Sequence, residues 1–278
     1  MSLHPSYVKV FLTFARNSLV RDMTFRANFL IDTLGSISWM AMNLGFYILV
    51  FQYTDSIGAN TGWERYPFFL FLATGLVVNS IVHALFMTNA DEFSELIRTG
   101  SLDFALLKPI DTQFLVSLQR IEWSSLGNLV FGVVLLGYSL VQIGYAPGPV
   151  EAALYVLYVL CGVAILYSLM IALAASSVWL GRNQTLYDFW FYITNFSRYP
   201  REIYRGRYGD PLRWLFTFII PVLVAINVPA RSLVRSLEPQ TPEDWVLPPF
   251  AVVAAVVSVL ASRWVFNRSL LSYRSASS

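Results

Sequence analysis

The chain has 278 residues, of which 56% are hydrophobic, 16% aromatic and only 13% charged. Its mean hydropathy is +0.56 and its formal charge at pH 7 is +2. These values argue against a water-soluble domain and against a nucleic-acid-binding surface, and the long uncharged apolar runs indicate a polytopic membrane protein.

The N-terminal residues 1–28 predict an interfacial helix and not a signal peptide. Apolar residues recur at helical spacing among Lys9, Arg16, Arg21 and Arg26, and these charges interrupt any apolar stretch of signal-peptide length. An apolar face flanked by cations suits a helix that lies in the cytoplasmic interface of the membrane. A plain positively charged topology signal is the alternative.

Gaps between charged residues predict five membrane spans, because a helix needs about 20 mostly apolar residues to cross the hydrocarbon core. The basic residues gather before the first span and after Ser262, whereas the loop 144–150 has none, so the positive-inside rule places both termini in the cytoplasm. Cytoplasmic termini require an even number of spans, so we expect a sixth. The five predicted spans lie near 33–52, 67–87, 122–143, 152–181 and 247–266.

The region 183–246 offers two alternatives for the sixth crossing. In the first, 214–230 crosses and the preceding arginine cluster is cytoplasmic. In the second, 183–198 crosses, and 212–231, broken by Pro221 and Pro229, dips into the membrane from outside and returns. The cluster consists of Arg198, Arg201, Arg205, Arg207 and Arg213.

The polar segment 88–112, between the second and third spans, predicts two short helices. Asn89 is expected to cap a helix over 90–99 that ends at Gly100. Ser101 is expected to cap a second helix that stops before Pro109. Because a connection between helices needs only about 2–8 residues, we interpret this element as a docking surface for a cytoplasmic partner and not as a solvated connector.

The sequence predicts no catalytic, metal or nucleotide site in this chain. Its two lysines, Lys9 and Lys108, do not follow a glycine-rich phosphate-binding loop. Two histidines, His4 and His83, are too few and too far apart for a histidine-based metal site. The single cysteine, Cys161, excludes an internal disulfide and is expected to be a small buried residue.

Polar residues inside the spans are few. Asn79 and His83 are four residues apart and share a helix face, where they could line a substrate path or form interhelical hydrogen bonds. Asp188 is the single candidate for an intramembrane carboxylate and is interpreted as interfacial. Because an ion-coupled carrier usually places charged groups inside its spans, we expect a transporter to draw its energy from a partner.

Several segments together resemble type-2 ABC transporter permeases of bacteria. Residues 98–110 (RTGSLDFALLKPI) are similar to the cytoplasmic stretch of that family. The segments 25–29 (FRANF) and 197–204 (SRYPREIY), and the pairs at 220–221 (IP) and 229–230 (PA), also follow its pattern. The likeness covers nearly the whole chain, and the order and spacing of the segments carry it.

The resemblance implies an all-α polytopic membrane protein with one domain over 1–278 and six transmembrane helices. An interfacial helix would occupy 1–28, and a cytoplasmic coupling helix would lie within 88–112. A re-entrant hairpin over 200–231 would precede the last span, with 183–199 as the fifth span. The arginine cluster departs from what an external segment would carry.

The resemblance also implies a role. The chain would be the permease of an ATP-driven exporter in the bacterial inner membrane, moving a lipidic or amphipathic substrate by alternating access. It would dimerise with a second copy or a sister permease and bind two copies of a cytoplasmic ATPase, which would hold the ATP and Mg. The competing hypotheses are a self-sufficient secondary carrier or lipid flippase and a non-transporting membrane scaffold.

Three sets of candidate site residues follow from these interpretations. Asn79 and His83 would line the substrate path, and Pro200, Pro221 and Pro229 would shape the re-entrant gate. The residues expected to couple the chain to the ATPase are Glu92, Glu95, Leu96, Arg98, Gly100, Leu102, Asp103, Leu107, Lys108 and Pro109.

Overall fold

The computed structural model describes residues 6–58, 61–180, 184–234 and 242–273, with the backbone alone for 184–188 and 242–244. Within these ranges the chain is helical, and extended pairing is limited to one isolated bridge between Ser56 and Glu64. The protein is therefore an all-α polytopic membrane protein, as predicted.

The described ranges contain twelve α-helices, some joined by π-helical or 3₁₀ turns. A π-helical turn, His83–Met87, joins α3 to α4, and another, Leu215–Ile219, extends α10. The helices are α1 Tyr7–Thr24, α2 Arg26–Val50, α3 Arg65–Val82, α4 Thr88–Thr99, α5 Leu102–Leu106, α6 Thr112–Leu118, α7 Leu126–Ile143, α8 Pro149–Leu180, α9 Gln184–Asn195, α10 Gly209–Trp214, α11 Val222–Val234 and α12 Pro242–Ser272.

Five helical stretches in the described ranges are long and apolar enough to cross a membrane, which confirms the five predicted spans. They are Arg26–Val50, Arg65–Thr99, Trp123–Ile143, Pro149–Leu180 and Trp245–Ser272. The second is longer than predicted, because the π-helical turn carries α3 into α4 without a break. We call this continuous helix, Arg65–Thr99, the rod. At 1.5 Å per residue it is about 52 Å long, so it extends well beyond a hydrocarbon core about 30 Å thick.

The rod gives the bundle two recognisable ends. We call the end that carries residues 100–111 the coupling end, and the end that carries the connection 51–64 the distal end. The backbone N–H of Ile121 donates to Ser18 of α1, and Arg263 of α12 pairs with Asp111. The first helix and the last part of the last helix thus both reach the coupling end, as expected for termini on one side of the membrane.

The segment 198–204 lies at the distal end. Glu202 accepts a hydrogen bond from the indole Nε1 of Trp63, at 2.9 Å, and Ile203 lies against Gly58. The arginine cluster therefore begins within a turn at the end opposite to the coupling end. This geometry disagrees with the cytoplasmic placement drawn from the positive-inside rule, because buried contacts to the connection 51–64 hold the turn there.

The chain after this turn forms a bent pair of helices. The stretch Gly209–Ile219 and α11 meet at Pro221 with an angle of 87° between them, and together they meet the length and apolarity of a span. Gly209 lies against the backbone of Tyr204, and the Arg231 guanidinium pairs with the Glu202 carboxylate at 3.2 Å. Both outer ends of the pair therefore return to the distal end of the bundle.

The predicted break at Pro229 is wrong, because α11 continues through it to Val234. Proline has no N–H to donate, so the carbonyl of Ala225, four residues earlier, loses its helical partner. That carbonyl oxygen lies directly against Gly162 of α8, where an added Cβ would overlap it. A glycine on the neighbouring helix thus makes room for the carbonyl that the proline frees.

Candidate functional site

Asn89 does not cap a helix, contrary to the prediction. The helix that it would begin is already continuous with α3, so its first N–H groups have carbonyl partners and need no cap. The Asn89 side chain instead binds the backbone of Arg120, donating to its carbonyl at 2.6 Å and accepting from its N–H at 2.9 Å. Asn89 thereby fastens the segment that leads into α7.

The predicted end of α4 at Gly100 is confirmed. Gly100 has a φ of +72°, a left-handed conformation that ends the helix, and its N–H donates to the carbonyl of Ile97. The second short helix also forms, as α5, and ends before Pro109. Ser101 precedes it but makes no capping hydrogen bond with its side chain.

The ten predicted coupling residues divide by burial. Leu102 is fully buried, and Leu96 is partly buried against the core. Glu92 pairs with Arg120 at 2.9 Å, while Gly100 and Asp103 are half-buried. The five that the coupling end leaves exposed are Glu95, Arg98, Leu107, Lys108 and Pro109.

Phe104 is a prominent exposed residue that the sequence analysis missed. Its side chain is 73% exposed, next to Leu107 at 81%. Leu102 and Ala105 turn inward on the same helix, so the helical spacing of α5 puts 104 and 107 on the opposite face. That spacing was readable in the sequence. An apolar pair that projects from the coupling end is a surface on which a partner can dock.

The segment 88–112, which we call the coupling element, is bound to the last span through Asp111. Its carboxylate caps α6 by accepting from the N–H of Phe114 and pairs with Arg263. The Arg263 guanidinium, followed by the backbone N–H groups, holds the pKa of Asp111 below its usual range against an opposing contribution from burial. Farther in, Phe93 packs on Phe266, with ring centroids 5.3 Å apart. Movement of the coupling element is thus linked mechanically to α12.

A cavity of about 760 Å³ lies between α2, α3, α7 and α9. It runs from Glu122, near the coupling end, to Tyr47 and Tyr199, near the distal end. Among the described residues its charged lining side chains are Asp32, Glu122 and Arg198, and the others are aromatic, aliphatic or uncharged polar. Examples are Trp39, Phe71, Trp190, Asn43, Asn128 and Thr194.

Both predicted substrate-path residues line this cavity. The Asn79 amide donates to the carbonyl of Gly75 within its own helix, at 2.8 Å. The His83 ring meets Trp190 edge-on, with centroids 6.0 Å apart. The indole nitrogen of Trp190 is buried without a hydrogen-bond partner in the described structure. Asp188 falls among the residues whose side chains lie outside the described set.

A buried polar cluster lies beside the distal end of the cavity. Glu202 accepts from Trp63, from the Asn227 amide at 3.0 Å and from Arg231. These donors come from the connection 51–64 and from α11, so one carboxylate joins three parts of the chain. Sequence analysis missed it, because partners 25 to 139 residues away leave no local pattern.

The predicted gate prolines do not form one site. Pro200 is buried and precedes the 3₁₀ turn Arg201–Ile203 that carries Glu202. Pro221 lies at the 87° bend, and Pro229 lies inside α11. Among the described residues no group of three or more His, Cys, Asp or Glu side chains is placed to hold a metal ion, and Cys161 is buried and free.

Comparison with known proteins gives one match. A family model described as an ABC-2 family transporter protein matches residues 37–277, most of the chain. No curated protein and no solved structure matches. The matched region contains the coupling element, the bent helical pair and all the lining residues of the cavity except Asp32 and Ser36.

Proposed function

This chain belongs to the ABC-2 family of membrane transporters, as the permease subunit of an ABC transporter, and from that premise we propose that it exports a lipidic or amphipathic substrate. Permeases of this family lack an ATPase site and normally work with an ATPase subunit. We propose a cytoplasmic ATPase, present in two copies and holding ATP and Mg, and a second permease copy or sister permease.

The observation that carries the proposal is the continuous rod Arg65–Thr99. Its middle supplies the cavity residues Asn79 and His83, and its end carries the coupling element. A displacement applied at the coupling end therefore reaches the cavity wall through one helix. Transmission also requires that the ATPase contact the two states of the permease differently, since a ligand without differential affinity shifts no equilibrium.

The exposed side chains of the coupling end are the proposed docking surface. Phe104 and Leu107 would enter an apolar groove of the ATPase, with Glu95, Arg98 and Lys108 at the rim. This division follows the usual anatomy of interfaces, in which an apolar centre is surrounded by polar residues. Leu102 and Leu96 would support the surface from beneath.

The predicted hairpin over 200–231, most of which the bent pair forms, is the proposed external gate. We infer that it enters the membrane from the distal end and returns, with 183–199 as the fifth crossing and both termini on the cytoplasmic side. The contacts of Gly209 with Tyr204 and of Arg231 with Glu202 support this path, because they hold both ends of the pair at one level. Tyr47 and Tyr199, whose side chains adjoin, would close the cavity there.

The cavity lining supports an amphipathic substrate. Aromatic rings and uncharged amides or hydroxyls line most of it, and charges are few. A highly charged small solute would meet little compensation there, whereas a molecule with an apolar body and a polar head would find partners for both parts.

Co-purification tests the proposal. The tagged protein is isolated from native membranes in mild detergent, and associated proteins and ATP hydrolysis are measured. We expect a bound ATPase that is lost in the double variant Phe104→Asp, Leu107→Asp. Tyr53→Asp is the matched control, because Tyr53 is 89% exposed at the distal end and should leave the ATPase bound.

Other results would contradict the proposal. Transport in vesicles without any ATPase would indicate a secondary carrier or lipid flippase. A bound partner without nucleotide-dependent flux would indicate a scaffold.

A further inference from the structure

An exposed cationic and aromatic segment lies at the distal end, just before α10. Arg205, Arg207 and Tyr208 are exposed, and Tyr208 is 81% exposed. The guanidinium carbon of Arg207 lies 5.9 Å from the centroid of the Tyr208 ring. We call residues 205–208 the arginine loop.

Its charge is unusual for this end of the molecule. Segments on the far side of a membrane are normally poor in Lys and Arg. The buried carboxylate nearby, Glu202, is already occupied by Trp63, Asn227 and Arg231. The Asp210 carboxylate lies 3.6 Å from the Arg213 guanidinium and offsets part of the positive charge of the arginine cluster. Packing does not account for Arg205 and Arg207 either, because both side chains remain exposed.

The neighbouring helix places the arginine loop next to apolar surface. The stretch Gly209–Ile219 exposes Leu212, Trp214, Phe218 and Ile219, with Trp214 at 58%. Exposed apolar side chains along a helix, with a tyrosine just before it and a tryptophan within it, are typical of a segment that passes from the interface into hydrocarbon. The arginine loop then lies at the depth of the lipid headgroups.

We propose that Arg205 and Arg207 bind the phosphate groups of anionic phospholipids in the leaflet at the distal end, with Tyr208 and Trp214 at the same interface. Guanidinium suits this ligand, since its fork of N–H groups matches phosphate oxygens and it gives up hydration more readily than an ammonium group. The bound lipids would hold the beginning of the bent pair at the interface. The proposal rests on the proposed function only for the membrane side on which the distal end lies.

The retention of phospholipids by the reconstituted protein tests this proposal. The full chain is reconstituted in nanodiscs of phosphatidylcholine with a minor share of phosphatidylglycerol, and retained lipids are counted by native mass spectrometry. We expect selective retention of phosphatidylglycerol. The variant Arg205→Gln, Arg207→Gln is expected to lower its relative affinity about 25-fold, about fivefold for each charge. The lysine variant, Arg205→Lys with Arg207→Lys, should keep most of the selectivity.

Controls separate the site from net charge and from soluble anions. Arg98→Gln with Lys108→Gln removes the same charge at the coupling end and should leave retention unchanged. Equal loss in that control, or unchanged retention in the Arg205→Gln, Arg207→Gln variant, overturns the proposal. Displacement of the lipid by inorganic phosphate also overturns it, since the ligand would then be a soluble anion. Binding of the ATPase is measured for the unmodified chain and for the Arg205→Gln, Arg207→Gln variant, whose substitutions lie outside the docking surface, so failure of the proposed function is seen separately.

Discussion

Glu202 shows how one residue can join distant parts of this fold. A carboxylate buried away from water is costly unless donors surround it, and here the indole of Trp63, the amide of Asn227 and the guanidinium of Arg231 do so. Any opening of the distal end that separates α11 from the connection 51–64 must break these bonds. If the gate works as proposed, Glu202 would therefore stabilise its closed state.

The ion pair between Asp111 and Arg263 predicts how the stability of the protein depends on pH. Its pKa is lowered in the folded protein, mainly by Arg263, so the unfolded chain binds more protons at this site in mild acid. The stabilising contribution is complete above the unfolded value of about 3.9 and is lost as pH falls through it toward the folded value. We expect Asp111→Asn to lower the unfolding temperature at neutral pH and to reduce its fall as the pH is lowered below about 4.

Tryptophan fluorescence during heating in detergent measures this effect, and Asp55→Asn is the control. Asp55 is an exposed carboxylate at the opposite end of the bundle, so its replacement should leave the unfolding temperature at neutral pH as in the unmodified protein. An unchanged profile for Asp111→Asn would show that the pair with Arg263 does not contribute to stability.

At the residue scale the sequence predicted what depends on local spacing. Asn79 and His83 were expected on one helix face and both line the cavity, since positions four apart share a face. Gly100 was expected to end α4 and does so in a left-handed conformation. The roles of Asn89 and Glu202 were missed, because their partners come from remote parts of the chain.

At the scale of elements, apolar run length predicted the spans but not how they continue. The five runs appear as helices, yet the second extends to Thr99, since a π-helical turn at His83–Met87 carries the helix across the predicted boundary. The crossing within 183–246 could not be settled from sequence, because charge counting favoured 214–230 and the family resemblance favoured 183–199. Contacts of Glu202 and Ile203 with the connection 51–64 hold the turn between these two segments at the distal end.

The close packing of α8 on α11 predicts that a larger residue at position 162 lowers stability. Gly162→Ala places a methyl group on the carbonyl oxygen of Ala225, which is fixed by backbone that cannot move independently. Overpacking of this kind costs about 1–3 kcal/mol, more than the gain of up to about 1 kcal/mol that alanine gives in a helix. We expect a lower unfolding temperature and weaker packing of the bent pair, measured by fluorescence and by limited proteolysis.

Gly137→Ala is the matched control for this change. Gly137 also lies inside a helix, α7, but an added Cβ would meet nothing within 4 Å. This variant should be as stable as the unmodified protein or slightly more so. Equal stability of the two alanine variants would mean that α8 and α11 are not in the close contact described.

At the scale of the whole molecule, the cavity and the coupling element belong to one mechanical unit. The rod Arg65–Thr99 contributes to both, and Asp111 with Arg263 joins the coupling element to α12 as well. α12 packs through Leu247 and Ala251 with Val224 and Val228 of α11, within the proposed gate. A force at the coupling end thus has two routes to the distal end, one along the cavity and one through the last span.

This arrangement predicts that access to the cavity changes with the state of the ATPase. Asn79→Cys, in a Cys161→Ala background that removes the single native thiol, places a reactive group in the middle of the cavity. With the ATPase locked in its ATP-bound form, the thiol should react faster with a membrane-impermeant maleimide added at the distal side, because the gate formed by Tyr47, Tyr199 and the bent pair would open. Tyr53→Cys, exposed at the distal end, should react at one rate in both states. An equal reaction rate at position 79 with and without ATP would contradict alternating access through this cavity. If the rate rises with ATP and this rise is lost in the Phe104→Asp, Leu107→Asp variant, the opening depends on the docking surface.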